Sequence, residues 1–337
     1  MDRLHATRKS GTVPELAALV MSPVLAEKPW GGQRLAEYGK ELPEGKWIGE
    51  SWEIADLPAA AVTAVSDPRS RVAAGPHAGK SLRQLIDEFG PDLLGSAPPT
   101  DEGDFPLLVK LLDAREHLSV QVHPDEAYVA EHPEARLKTE SWYVVDAASE
   151  SHLYLGLRDG TLVEDVAARA GNAAVAGLLD AVPAHPGDFH HLPAGLVHAL
   201  GAGVLVAEVQ TPSDTTFRIY DWEDRYGRPH RQMHVTEALE AIRPGLRSEH
   251  KAAGSEPGSR TLVASPAYWI REHRGAVEID NAPETRVLLV AAGAIAVDGQ
   301  ELRRGRTVIV PACVAESTTV SGAPDSIVLE IGLGSGD

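Results

Sequence analysis

The stretch PGDFHHLPAGLVHALG, residues 186–201, decides the fold. Gly187 can take the positive φ of a tight turn, and Phe189 to Leu192 follows as a short strand. Pro193-Ala194-Gly195 then makes a second turn. The chain re-enters a strand at His198, whose side chain is expected to point into a barrel. A histidine at the start of a strand is, taken alone, more often structural than a ligand.

Farther along, Gly305, five residues, Pro311-Ala312-Cys313, two residues and Glu316 repeat the same frame. The Gly–Pro spacing is kept, while the second glycine and the histidine are gone. The repeat falls in a second strand-rich segment. It predicts a mostly β chain of two barrels, the second without the histidine.

Strand-like runs rich in Val, Leu and Ile, cut by Gly and Pro, fill the rest. They include Val109–Leu112, Leu118–Val122, Trp142–Val145, Val204–Val209, Val287–Val290 and Thr307–Val310. Helices are fewer. Ser81 is a possible cap for a helix with Leu82, Leu85 and Ile86 on one face, in a helical segment over 81–97. A second segment over 161–181 is interrupted by Gly171 and Asn172 and reads as two short helices; 235–242 is a third helical patch. Lys251–Arg260, rich in Gly, Ser, Pro and charge, reads as a linker or exposed loop. The domain organisation expected is a tail over 1–17, a catalytic domain over 18–250 and a second barrel over 251–337.

The 337 residues are 43% hydrophobic and 24% charged, the composition of an ordinary globular protein. A formal charge of -18 argues against nucleic acid or an anionic membrane as partner. The single cysteine, Cys313, excludes an intramolecular disulfide and fits a cytoplasmic protein. No run near the N-terminus is long enough to span a membrane, and Pro14-Glu15 breaks up any signal peptide.

Four places carry chemistry. His198 is the first. In Ser119-Val120-Gln121-Val122-His123-Pro124 the two-residue period puts Ser119, Gln121 and His123 on one face. The common use of such alternation is a solvent-facing edge strand, but Leu107–Leu112 just upstream is too apolar for an exposed region. Lys138 and Glu140 also share a face; without context a surface ion pair is the simpler reading. Glu208 lies inside the apolar run 204–209, where a charge needs a partner, a metal or a shifted pKa.

The Gly187–His198 frame matches the second sequence motif of the cupins, which turns the preference for His198 toward a ligand. The blocks FPLLVKLLDAREHLSVQVHPDEAYV (105–129), KTESWY (138–143), PGDFHHLPAGLVHALG (186–201) and LVAEVQTPSDTTFRIYDW (205–222) resemble, in order, the signature blocks of type I mannose-6-phosphate isomerases of the short bacterial form. KPWGG (28–32) and GESWEIAD (49–56) resemble the family's N-terminal blocks. The resemblance covers most of residues 20–245; beyond about 250 it is one of architecture only.

The resemblance implies a fold of two cupin-like (jelly-roll) barrels with a small helical insertion. It implies one Zn2+ per chain, held by Gln121, His123, Glu140 and His198. Two imidazoles and two oxygens suit zinc without excluding manganese, iron or cobalt. The implied activity interconverts mannose 6-phosphate and fructose 6-phosphate through an enediol. Arg218 matches the family's active-site arginine. Glu208 is the candidate base and Lys138 the candidate electrophile or proton donor. Ser119 and Lys110 are candidates for the phosphate end, and Trp30 and Trp52 for the pocket wall or the core. His190 and His191 fall off the ligand position and read as structural, and Asp188, Asp214 and Asp221 as turn residues. The rival readings are another sugar-processing cupin enzyme, an epimerase or oxygenase, and a non-catalytic sugar-binding regulatory cupin. Oxygenases and epimerases draw on an H-x-H strand, where this chain has Gln121; a regulatory protein would be expected to lose some of Lys138, Glu140, Glu208 and Arg218.

Overall fold

A computed structural model describes residues 16–59, 62, 65–280 and 284–334. The expected N-terminal tail therefore lies outside the described residues up to position 15; Leu16 is buried in the core.

The chain is mostly β, in four antiparallel sheets. One seven-stranded sheet runs, in spatial order, Glu249–Lys251, Phe189–Leu192, Glu140–Ala147, Val204–Gln210, Leu108–Ala114, Val24–Gly32 and Ile48–Ile54. A five-stranded sheet runs Phe217–Tyr220, Val120–Val122, His198–Leu200, His152–Leu157 and Leu179–Pro183. The second seven-stranded sheet is built from Gly258–Ala264, Tyr268–Arg274, Ile327–Leu333, Arg286–Ala292, Thr307–Val310, Leu19–Ser22 and Arg71–Val72. Gln300–Arg303, Ala294–Val297 and Val320–Gly322 form the small fourth sheet. The pairing closes none of the four into a barrel among the described residues.

Side chains alternate along each strand, and here both faces of the large sheets are buried. In Leu108–Ala114, Val109 and Leu111 join one core cluster, while Leu112 and Ala114 join another. The first cluster also takes Phe189, Leu205, Ala207 and Val209 from the same sheet, and Val287, Leu289, Ile309, Leu329 and Ile331 from the other seven-stranded sheet. The two large sheets therefore pack back to back. Leu112, Trp142, Val144, Val204 and Val206 face the five-stranded sheet through Leu153, Leu155 and Leu200. On the other side, Leu288, Val290, Val308 and Val328 face Ile295, Val297 and Leu302 of the small sheet. Burial on both faces explains why these antiparallel strands read as unbroken apolar runs, a pattern more usual for parallel sheets. Each fully buried Leu, Val or Ile contributes about 1.5–3 kcal/mol over leaving it exposed.

Helices cover the outer face of the five-stranded sheet. Tyr128, Val166, Val175, Ala238 and Ala241 pack on Val120, Val122, Val197, Ala199 and Ile219. The expected pair over 161–181 is a helix Val163–Arg169 and a 3-10 helix Ala173–Leu178. The helix Leu82–Phe89 begins at Ser81, whose hydroxyl accepts the Gln84 N–H at 3.3 Å while the Gln84 side chain accepts the Ser81 N–H at 2.9 Å. No helix of the described residues is long and apolar enough to cross a membrane.

Besides the two expected barrels, which the sheet pairing does not close, two features depart from the sequence reading. The linker is shorter than expected, because Lys251 pairs with Phe189 and Gly258–Arg260 pairs with Glu272–Arg274. The strand Leu19–Ser22 crosses to the C-terminal sheet, pairing Leu19 with Ile309. The repeated frame is visible in the backbone. Gly187 has φ 93° and Gly305 φ 80°, and each is followed two residues later by a four-residue strand that ends just before a proline. After Pro193 the chain turns into the strand His198–Leu200. After Pro311 it forms the 3-10 turn Ala312–Val314, and Glu316 lies in a turn rather than a strand.

Candidate active site

The site lies between the first seven-stranded sheet and the five-stranded sheet. Register brings its residues together. In the five-stranded sheet Gln121 is opposite His198 on one side and Arg218 on the other. In the large sheet Glu208 is opposite Lys110 on one side and Trp142 on the other. Gln210, two residues on, is opposite Glu140.

Glu140 is the meeting point. Its Oε1 is 3.2 Å from His198 Nε2 and its Oε2 3.2 Å from His123 Nε2. Lys138 Nζ stands 3.1 Å from the same Oε2. Gln121 Nε2 is 3.2 Å from His198 Nε2, and Ser119 donates its hydroxyl proton to Gln121 Oε1 at 3.0 Å. Both imidazoles are oriented by the backbone. His123 Nδ1 lies 3.1 Å from the Thr215 carbonyl and His198 Nδ1 2.9 Å from the Leu196 carbonyl. A carbonyl only accepts, so each Nδ1 carries the proton and each Nε2 presents a lone pair toward Glu140.

This donor set fits a metal. His123, Glu140 and His198 are all buried, with one ligand atom of each within 4.8 Å of the others. His123 Nε2 and both Glu140 carboxylate oxygens are buried with no contact in hydrogen-bond geometry, although the Lys138 ammonium forms an ion pair with Oε2. Orphaned acceptors at such density are rare in proteins and costly unless a cation completes them. Burial, with Lys138 nearby, holds the His123 ring down at about 3, so it stays neutral and able to coordinate. Burial pushes the Glu140 carboxyl up, but Lys138 and the two histidines pull it well below the usual carboxylate range.

The cavity beside this cluster is lined by Trp30, Lys110, Ser119, Gln121, Lys138, Glu208 and Arg218, every one singled out by sequence. Glu208 is buried, with Oε1 3.1 Å from Lys110 Nζ and Oε2 accepting the Trp142 indole N–H at 3.0 Å. Lys110 also donates to Gln210 Oε1 at 2.9 Å. Burial would lower the Lys110 pKa, but Glu208 and Glu50 raise it, so the ammonium stays charged. Arg218 is held by little: its Nη1 reaches the Gln232 carbonyl at 3.5 Å and its Nε has no hydrogen-bond partner. Trp52 does not line the cavity; it packs with Ala26, Leu57 and Leu108, under the Lys110 ammonium.

Sequence reasoning missed Lys28, Glu50, Asp214, Thr216 and Arg231, which also line the cavity. Lys28 Nζ is 3.0 Å from Glu50 Oε1, and Trp52 donates its indole N–H to Glu50 Oε2 at 2.6 Å. Burial raises the Glu50 pKa, but Lys28 and Lys110 outweigh it and bring it to about 2. Lys28 and Glu50 fall in the quoted N-terminal blocks, which was the available signal. Asp214 lines the cavity, and Asp221 is a buried acceptor for Arg231, with Nε to Oδ2 at 2.5 Å, so neither is merely a turn residue. His191 meets Ser141 Oγ at 2.9 Å, away from the cluster.

Residues 19–151 match the model of the family described as phosphomannose isomerase type I, catalytic domain. The Bacillus subtilis protein named probable mannose-6-phosphate isomerase GmuF is 38% identical over 250 residues, spanning 73% of this chain and 75% of that protein. The Streptococcus mutans mannose-6-phosphate isomerase is 31% identical over 310 residues, 87% of this chain and 92% of that protein. This chain belongs to the type I phosphomannose isomerase family. The solved structure of the mannose 6-phosphate isomerase from Bacillus subtilis superposes with a TM-score of 0.75 at 27% identity, covering 94% of this chain and all of that one. The match includes the C-terminal sheets, where the sequence resemblance had thinned to architecture. Family membership and the cavity's donor set rest on separate observations, one of sequence and one of geometry.

Proposed function

We propose that this chain is a metal-dependent aldose–ketose isomerase that interconverts mannose 6-phosphate and fructose 6-phosphate in the cytoplasm. The observation that carries the reading is the buried His123–Glu140–His198 cluster, with its unpaired lone pairs, opening on a cavity lined by Lys110, Lys138, Glu208 and Arg218.

Gln121, His123, Glu140 and His198 would hold the ion, zinc by the chemistry of the donors. Bound there, a divalent metal supplies Lewis acidity to oxygens of the sugar near its carbonyl. The chain's own residues do the rest. Glu208 takes the proton from C2 of the aldose and returns it to C1 while the hydroxyl proton of O2 passes to O1, with Lys110 and Trp142 fixing the Glu208 carboxylate. Lys138, 3.1 Å from Glu140, sets an ammonium beside the oxygens on which charge develops. Arg218 offers an unsaturated guanidinium to the substrate's oxygen-rich end, and Ser119, Lys110 and Trp30 shape the remaining wall. Each other cation is tied to a carboxylate: Lys28 to Glu50, Lys110 to Glu208, Lys138 to Glu140 and Arg231 to Asp221. These four pairs are neutral in sum, so attraction of an anionic sugar into a strongly acidic protein rests on Arg218 and on the charge of the bound metal.

We also read each large sheet with its smaller partner as one cupin-like unit, the second serving as support without ligands. A coupled assay with mannose 6-phosphate and fructose 6-phosphate on zinc-loaded protein tests the activity. Turnover of both in a reversible ratio supports the reading, and no turnover of either overturns it.

A further inference from the structure

A second group of donor atoms lies outside the cavity, at the far edge of the first seven-stranded sheet. His190 and His250 are cross-strand partners on Phe189–Leu192 and Glu249–Lys251. Their rings are stacked, with centroids 4.7 Å apart and planes 16° from parallel. Asp188 precedes His190 by two residues. Its Oδ1 accepts the Ala253 N–H at 2.9 Å, which leaves Oδ2 turned to the histidines, 3.6 Å from His250 Nε2. One donor atom from each of the three residues lies within 4.8 Å of the others. His185 Nδ1 approaches the same Oδ2 at 3.3 Å.

The independent observation is His190 itself. Its side chain is 4% exposed, yet neither ring nitrogen has a hydrogen-bond partner. A neutral imidazole has one donor and one acceptor nitrogen, and leaving such a group buried and unsatisfied costs about 1–3 kcal/mol. Phe189 and Leu192 on the same strand are ordinary apolar core residues, so an apolar side chain would be the cheaper choice at this position. Trp142 sits opposite His190 on the neighbouring strand and stands between this group and Glu208. The two sets of donors are therefore separate.

We propose that Asp188, His190 and His250 form a second metal site, distinct from the active site, for a borderline transition metal such as zinc, cobalt or nickel. Two imidazoles and one carboxylate select these ions over magnesium and calcium, which take all-oxygen shells. Three protein ligands leave a position for water or for His185. The ion would pin Glu249–Lys251, a three-residue exposed edge strand, onto the sheet. That strand is the last element before the chain passes to the C-terminal sheets, so the metal acts as a clasp on the connection.

The test is zinc content of the full-length chain after equilibrium dialysis at micromolar free Zn2+. His250→Ala is the deciding variant, because His250 is half exposed and its loss leaves no hole in the core. The site predicts that His250→Ala holds one zinc fewer per chain than wild type, with isomerase activity unchanged. His190→Gln should show the same loss. His230→Ala, at a surface histidine paired with Glu223 among the described residues, should keep the wild-type content. Zinc should also raise the Tm of wild type more than that of His250→Ala. Equal zinc content in wild type and His250→Ala overturns the proposal, as does an equal loss in His230→Ala. Neither readout depends on turnover, so a failure of the isomerase reading would show in the coupled assay and not here.

Discussion

Glu140 and His198 stand 3.2 Å apart, one on each of two facing sheets, so the geometry of the site depends on how those sheets pack. The contact joins a carboxylate of the large sheet to an imidazole of the five-stranded sheet, with Trp142 edge-on against the His198 ring at 5.4 Å. A cation there would bridge the two layers as well as serve the chemistry.

His123→Ala and His198→Ala should each release the metal of this site and abolish isomerase activity. Loss of an outer-shell partner already costs about 10–100-fold in metal affinity, and loss of a direct ligand should cost more. Zinc content and rate, measured together after dialysis, check this. Retention of both in either variant would remove that histidine from the ligand set.

Glu208→Gln keeps the volume and the Trp142 hydrogen bond but removes the basic oxygen. We expect kcat to fall by about 10²–10⁴, the usual worth of a positioned general base, with metal content intact. Exchange of the C2 proton of the substrate with solvent should fall in parallel. A variant that isomerises at the wild-type rate would hand the base role to another group.

Arg218 has the cavity's unsaturated guanidinium nitrogen, so Arg218→Ala should act on substrate rather than on folding. A charge-assisted hydrogen bond is worth about 1.5–3 kcal/mol, which corresponds to roughly 10- to 150-fold in kcat/KM. The denaturation midpoint should move little. A large drop in Tm with kcat/KM preserved would make Arg218 a structural residue.

Lys40 tests the seam between the large sheets. Its ammonium lies 2.7 Å from Glu53 Oε1 and donates to the Gly305 carbonyl at 2.6 Å, with both ion-pair side chains almost wholly buried. Thr307 donates to the same Glu53 carboxylate at 3.2 Å. Removing one partner of a buried pair strands the other, so Lys40→Met should cost about 3–5 kcal/mol of stability. Urea unfolding should show a lower midpoint, while the folded variant remains active.

Much of the site was legible in the sequence, because strand period and turn chemistry are local. The alternation Ser119, Gln121, His123 and the turn at Pro193-Ala194-Gly195 put those donors where the structure has them. The quoted N-terminal blocks contain Lys28 and Glu50, but the roles of these two and of Arg231 were not legible, since they follow from ion pairs, Lys28 with Glu50 on the neighbouring strand and Arg231 with Asp221, that strand period and turn chemistry do not state. The strand Leu19–Ser22 was hidden for the same reason: nothing in four residues states that their partner is Thr307–Val310. The apolar runs were read as strands, but the runs do not say that both faces are covered. That fact needs the packing of one sheet on another.

The back-to-back contact of the two seven-stranded sheets constrains how the protein can change. A fragment ending near residue 250 would carry every proposed active-site residue, yet it would bare one whole apolar face, from Val109 to Val209, to water. Such a face invites pairing with other copies rather than catalysis. The half without catalytic groups is in this sense an inseparable internal chaperone. Damage to Val287 or Ile331 should extinguish activity in the cell through insolubility, with no atom of the cavity displaced.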